Sequence, residues 1–121
     1  MTRVLLVSNN KRVIESITAT FNSSSNSEFC LLSISRYDSI WGDIIDFGAN
    51  IVVVDMTDTN LTETLQLCEM LCCKQGIKCI VLIDGNKKIE EMLTKDFICM
   101  VDGYIEYRNP EPFFEKLLNY V

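Results

Sequence analysis

Histidine is absent from these 121 residues, which removes the side chain most often used for acid–base work near neutral pH and a common zinc ligand. Positive charge is also scarce. Eleven Lys and Arg face seventeen Asp and Glu, for a net charge of −6, and no basic run is longer than a pair such as Lys87-Lys88 or Lys11-Arg12. Binding to a phosphate backbone depends on a Lys/Arg patch, so no nucleic-acid contact is expected from this domain itself. Long apolar runs are missing as well: nothing approaches the roughly 20 residues of a membrane span, and Met1-Thr2-Arg3 leads directly into a strand-like segment rather than a signal peptide. A globular, cytoplasmic protein with no membrane contact is the expectation. A glycine-rich phosphate loop is absent too, because Ser8-Asn9-Asn10-Lys11 stands where one would follow the first strand.

Cysteine is plentiful, with six residues, but Cys-x-x-Cys spacing is not found. Zinc sites of the structural kind use four ligands from paired knuckles, so a metal centre is not expected. On a helix, Leu61, Leu65, Cys68 and Cys72 fall on one stripe, and this stripe is expected to face the core. Cys30, Cys79 and Cys99 sit in or before apolar strand-like runs. All are read as reduced thiols behaving as small hydrophobes.

The pattern that remains is an alternation. Five short apolar runs separate segments of helical period, without internal repeats or a long linker, in a chain of one-domain length. The strands are expected at Arg3 to Val7, Phe29 to Ile34, Ile51 to Asp55, Lys78 to Ile83 and Gly103 to Tyr107. The first helix carries Val13, Ile14, Ile17 and Phe21, and the Ser/Asn stretch from Asn22 to Ser27 reads as a turn. A second helix from Tyr37 to Phe47 closes on Gly48, and a third begins near Asn60 and ends at Gly76. A fourth is modest, with Ile89, Met92 and Leu93 inward; the fifth has Asn109 as cap, Pro110 in the first turn, and Phe113, Phe114, Leu117, Leu118 and Val121 on one side. This is an α/β chain of (βα)5 type, a five-stranded parallel sheet with helices on both faces, spanning 1–121 as one domain. In such sheets the reacting groups lie at the carboxyl ends of the strands, near the topological switch point. Ser8-Asn9, Asp55, Asp84 and Tyr107 occupy those ends.

In this order the chain resembles the receiver domain of bacterial two-component response regulators, a flavodoxin-like fold, over its whole length. Val52-Val53-Val54-Asp55 is similar to the family's phosphoacceptor strand, Gly103-Tyr104 to its fifth strand, and Asn109-Pro110-Glu111-Pro112-Phe113 to the start of its last helix. The resemblance implies phosphoryl transfer to Asp55, with Mg²⁺ held by two acidic residues after the first strand, a Ser/Thr hydroxyl after the fourth and a lysine after the fifth. Phosphoryl transfer of this kind rests on positioning and on neutralising charge.

The chain departs from that pattern at five positions. Ser8 and Asn9 replace the acidic pair, Asp84 the hydroxyl and Tyr107 the lysine, while Arg108 follows where a proline is usual. Mg²⁺ favours hard anionic oxygens, so binding is expected to be weak or absent, and Asp84 would repel a phosphoryl oxygen. The expectation is a pseudo-receiver, a signalling module rather than an enzyme, that controls transcription through an output domain fused after residue 121. It would act by protein contacts or by a homodimer formed through the face of the fourth helix, fifth strand and fifth helix, where Tyr104 and Arg108 are the candidate switch or interface residues. Two alternatives stand beside it: a conventional receiver phosphorylated slowly on Asp55 by a cognate histidine kinase, and a small flavodoxin-like enzyme or nucleotide-binding module.

Overall fold

The computed structural model describes residues 2–23, 29–34, 40–55, 61–72, 76–83, 101–106 and 117. Five strands, β1 (Thr2–Val7), β2 (Phe29–Ile34), β3 (Ile51–Asp55), β4 (Lys78–Ile83) and β5 (Gly103–Glu106), alternate with α1 (Lys11–Ser23), α2 (Ile40–Phe47) and α3 (Leu61–Cys72). The strands form one parallel sheet in the order β2-β1-β3-β4-β5. The direction of strand order reverses beside β1, which makes the gap beyond the ends of β1 and β3 the switch point.

Strand periodicity of two sorts the core into two layers. Leu5, Val7, Val52, Val54, Cys79 and Val81 point to one face and pack with Ile44 of α2 and Leu67, Cys68 and Leu71 of α3. Val4, Leu6, Ile51, Val53, Ile80, Leu82 and Ile105 point to the other and pack with Val13 and Ile17 of α1 and with Leu117. Because both faces are covered, β1 and β3 read as unbroken apolar runs rather than alternating ones. Each fully buried Val, Leu or Ile contributes roughly 1.5–3 kcal/mol of transfer free energy.

Polar groups set the register at the amino ends. Asn50 donates its amide to the Arg3 carbonyl at 2.9 Å and accepts the Arg3 amide on Oδ1 at 2.8 Å, while its own carbonyl takes the Lys78 amide at 2.9 Å. Asp102 anchors β5 in the same manner, accepting the Cys79 amide on Oδ2 at 2.7 Å and donating its own amide to the Cys79 carbonyl at 2.9 Å. α2 ends on Gly48 at φ +70°, whose amide and that of Ala49 both donate to the Ile44 carbonyl. That left-handed cap is the closure expected from the sequence.

One local expectation is corrected. α1 runs on through Asn22 and Ser23, into the stretch read as a turn. Packing of Ile17 and Phe21 against the sheet holds a last helical turn that composition alone disfavours. On α3 Leu67, Cys68 and Leu71 are buried among the described side chains, so Cys68 lies in the core as expected; the side chains of Leu61, Leu65 and Cys72 lie outside those described. The expected fourth helix, the cap at Asn109, and Cys99 lie outside the described residues, as does the fifth helix apart from Leu117.

Candidate functional site

The register of β1 against β3 builds the site. Val7 pairs with Val54 in parallel, so one further step brings Ser8 opposite Asp55. Both share the side-chain parity of Leu6 and Val53, which face α1. Ser8 and Asp55 are the buried polar side chains among the described residues, and neither has any exposed surface.

A buried carboxylate needs hydrogen-bond partners, because desolvation of an isolated charge is costly. Ser8 supplies one: its Oγ–H donates to Asp55 Oδ2 at 2.5 Å. The same oxygen accepts the Asn10 amide at 3.1 Å, a local serine turn. The Ser8 amide continues the β1–β2 ladder by donating to the Ile34 carbonyl at 3.0 Å, which fixes where the hydroxyl points. Asn10 then caps α1. Its Oδ1 accepts the Arg12 amide at 3.0 Å and its carbonyl accepts the Ile14 amide at 3.1 Å. Asn9, between these two, is exposed.

The described part of the site is a poor match to a Mg²⁺ centre. Ser8 and Asn9 offer neutral oxygens only, and the Ser8 hydroxyl proton already occupies one oxygen of the single carboxylate, whereas Mg²⁺ sites draw on several anionic oxygens. Among the described residues no group of three Cys, Asp or Glu side chains is placed to hold a metal ion. Tyr104 lies on β5 and is half exposed. Asp84, Tyr107 and Arg108 lie outside the described residues, although β4 ends at Ile83 and β5 at Glu106, one residue before the first two of them.

Sequence reasoning treated Ser8 chiefly as a missing carboxylate and passed over Asn10. A signal was present for both: Asn10 immediately precedes the helical period of α1, a standard N-cap position, and Ser8 follows β1 with inward parity.

Comparison with known proteins agrees with this architecture. No family profile and no curated protein matches the chain. Solved structures do. The N-terminal signal receiver domain of a two-component response regulator from Bacteroides fragilis superposes with a TM-score of 0.79 at 14% identity, over 98% of this chain and 95% of that one. The chemotaxis response regulator CheY4 of Vibrio cholerae gives 0.76 at 10% identity, over 100% and 99%. A DNA-binding response regulator of the LuxR family from Staphylococcus aureus gives 0.67 at 17% identity, over 98% of both. The chain therefore has the receiver fold, a CheY-like five-stranded parallel sheet flanked by helices. Among the described residues no helix is long and apolar enough to cross a membrane.

Proposed function

We propose that this chain is an atypical receiver domain, a cytoplasmic signalling module whose output does not depend on phosphorylation. The observation that carries the reading is Asp55, which holds the phosphoacceptor place at the end of β3, is fully buried, and accepts the hydroxyl of Ser8. Attack by a carboxylate on a phosphoryl group needs a free oxygen in line with the donor and positive charge around the transferred group. At Asp55 one oxygen is engaged by Ser8 and burial closes the approach. The sequence adds Asn9, Asp84 and Tyr107 where a ligand, a hydroxyl donor and a cation would serve. Weak or absent Mg²⁺ binding follows from the same donor set.

On this reading the domain works through protein contacts. A homodimer through the face that includes β5 is the arrangement we favour, with half-exposed Tyr104 as one contact and Arg108 as another. Transcription control through a fused output domain fits the DNA-binding regulator of similar fold from Staphylococcus aureus. The domain itself, at net charge −6, would leave nucleic acid to that partner.

The experiment is intact-mass measurement after incubation with Mg²⁺ and a small phosphodonor such as acetyl phosphate. An unmodified mass is expected. A phosphoryl adduct mapped to Asp55 would instead establish a conventional receiver, slow or otherwise, served by a cognate histidine kinase.

A further inference from the structure

The hydrogen bonds around Ser8 form a continuous path. It leads from Asp55 Oδ2 to the Ser8 hydroxyl at 2.5 Å, from the Ser8 oxygen to the Asn10 amide at 3.1 Å, and from Asn10 to the Arg12 and Ile14 amides at 3.0 and 3.1 Å. Every link but the first lies within the β1–α1 connection, and the first crosses 47 residues of sequence to the end of β3. Ser8 is fully buried and its backbone is held by Ile34, so its hydroxyl has little freedom to seek another acceptor. A serine oxygen that donates to a carboxylate is also polarised into a better acceptor, which strengthens the next bond in the path. Asp55 Oδ2 is thereby connected, through Ser8 and Asn10, to the first turn of α1.

We propose that Ser8 is a positioning residue, a built-in latch that ties the phosphoacceptor carboxylate to the amino end of α1 where other receivers would place metal ligands. The latch rests on the reading of Asp55 as a structural acceptor and gives it a regulatory consequence: anything that withdraws the Asp55 oxygen, by modification or by a competing donor from a partner protein, loosens the start of α1. Lys11 and Arg12, both exposed, stand on that turn and move with it. The output of the latch is thus the order of a basic turn on an otherwise acidic chain.

Amide hydrogen exchange followed by NMR tests this in the full chain. Ser8→Ala removes the acceptor of the Asn10 amide under any account, so the decisive variants are at Asp55, whose bond in this path goes to the Ser8 hydroxyl and not to a reporter amide. In Asp55→Ala, exchange at Asn10, Arg12 and Ile14 is expected to rise by about tenfold or more, the change corresponding to loss of one hydrogen bond to a charged acceptor, while Val53 and Val81 keep their protection. Asp55→Asn retains an acceptor oxygen and is expected to keep most of the protection. Combining Asp55→Ala with Ser8→Ala is expected to add nothing to Ser8→Ala alone. Should Asp55→Ala not fold, Asp55→Val, which fills more of the buried site than alanine and removes the acceptor, takes its place. Unchanged exchange at Asn10, Arg12 and Ile14 in the Asp55 variants, or additive effects in the double variant, would overturn the latch. The readout is independent of whether Asp55 takes up phosphate, so it fails separately from the reading above.

Discussion

At the scale of single residues, a few atoms carry definite energies. Asn10 caps α1 with its carboxamide, and Asn10→Ala is expected to cost about 1 kcal/mol of unfolding free energy, whereas Asn10→Asp or Asn10→Ser retains most of it. Urea unfolding of the three variants, compared at a common slope, checks this. Two glycines make a contrasting pair. Gly48 sits at φ +70°, and an added Cβ would lie 2.8 Å from Arg3 Nη1, the end of a side chain that also donates to the Phe47 carbonyl at 3.1 Å. Gly48→Ala is therefore expected to destabilise by roughly 1–2 kcal/mol, chiefly through the left-handed backbone and partly through displacing Arg3. Gly42 lies inside α2 with nothing within 4 Å of a new Cβ, so Gly42→Ala is expected to stabilise by about 0.5–1 kcal/mol. The two melting temperatures should move in opposite directions, and movement in the same direction would contradict the backbone assigned to Gly48.

At the scale of elements, α3 is held by its inward arc. Leu71 is fully buried between the helix and the sheet layer that contains Val52, Val54 and Cys79, and Leu71→Ala is expected to cost about 2–5 kcal/mol through lost transfer energy and the cavity left behind. Met70, the neighbouring residue on the outer side, is nearly half exposed, and Met70→Ala should change stability by less than about 0.5 kcal/mol. Chemical denaturation of both variants reads the helix register directly. Cys68 belongs to the same arc and has no exposed surface, so its thiol is expected to resist alkylation in the folded chain and to react on unfolding. Mass spectrometry after a brief pulse of reagent, with Cys68 mapped by digestion, would refute the packing if Cys68 were labelled in native buffer.

At the scale of the whole molecule, the prediction concerns the missing charge partners. Each preorganised charge partner of a transferred group is worth about 3 kcal/mol, or roughly a hundredfold in rate, and on the proposed reading this chain lacks several of those that receivers use. Addition of Mg²⁺ with beryllofluoride is expected to leave both the NMR spectrum and the oligomeric state nearly unchanged. Restoring the family residues together, as Ser8→Asp, Asn9→Asp, Asp84→Thr and Tyr107→Lys, is expected to produce a Mg²⁺-dependent spectral change and modification at Asp55. A restored variant that stays inert would show that burial of Asp55, rather than the loss of charge partners, is what closes the site.

How much of this was legible beforehand depends on the range over which the determining interaction acts. The strand order of events along the chain, the two-faced burial of β1 and β3, the cap at Gly48 and the burial of Cys68 and Cys79 follow from local period, apolar composition and turn chemistry, which are properties of neighbouring residues. The sequence by itself also determined that Asp55 ends the third strand and that Ser8 and Asn9 follow the first. It did not determine that Ser8 is a partner of Asp55. That depends on the parallel register of β1 with β3, on a shared side-chain parity toward α1, and on a hydrogen bond across 47 residues. The extra turn of α1 was decided in the same way, by packing on the sheet. Local preference is set by a residue and its neighbours, whereas a buried hydroxyl finds its acceptor only once the strands have aligned, and so only the tertiary structure turned an apparently missing metal ligand into a hydrogen-bonded pair.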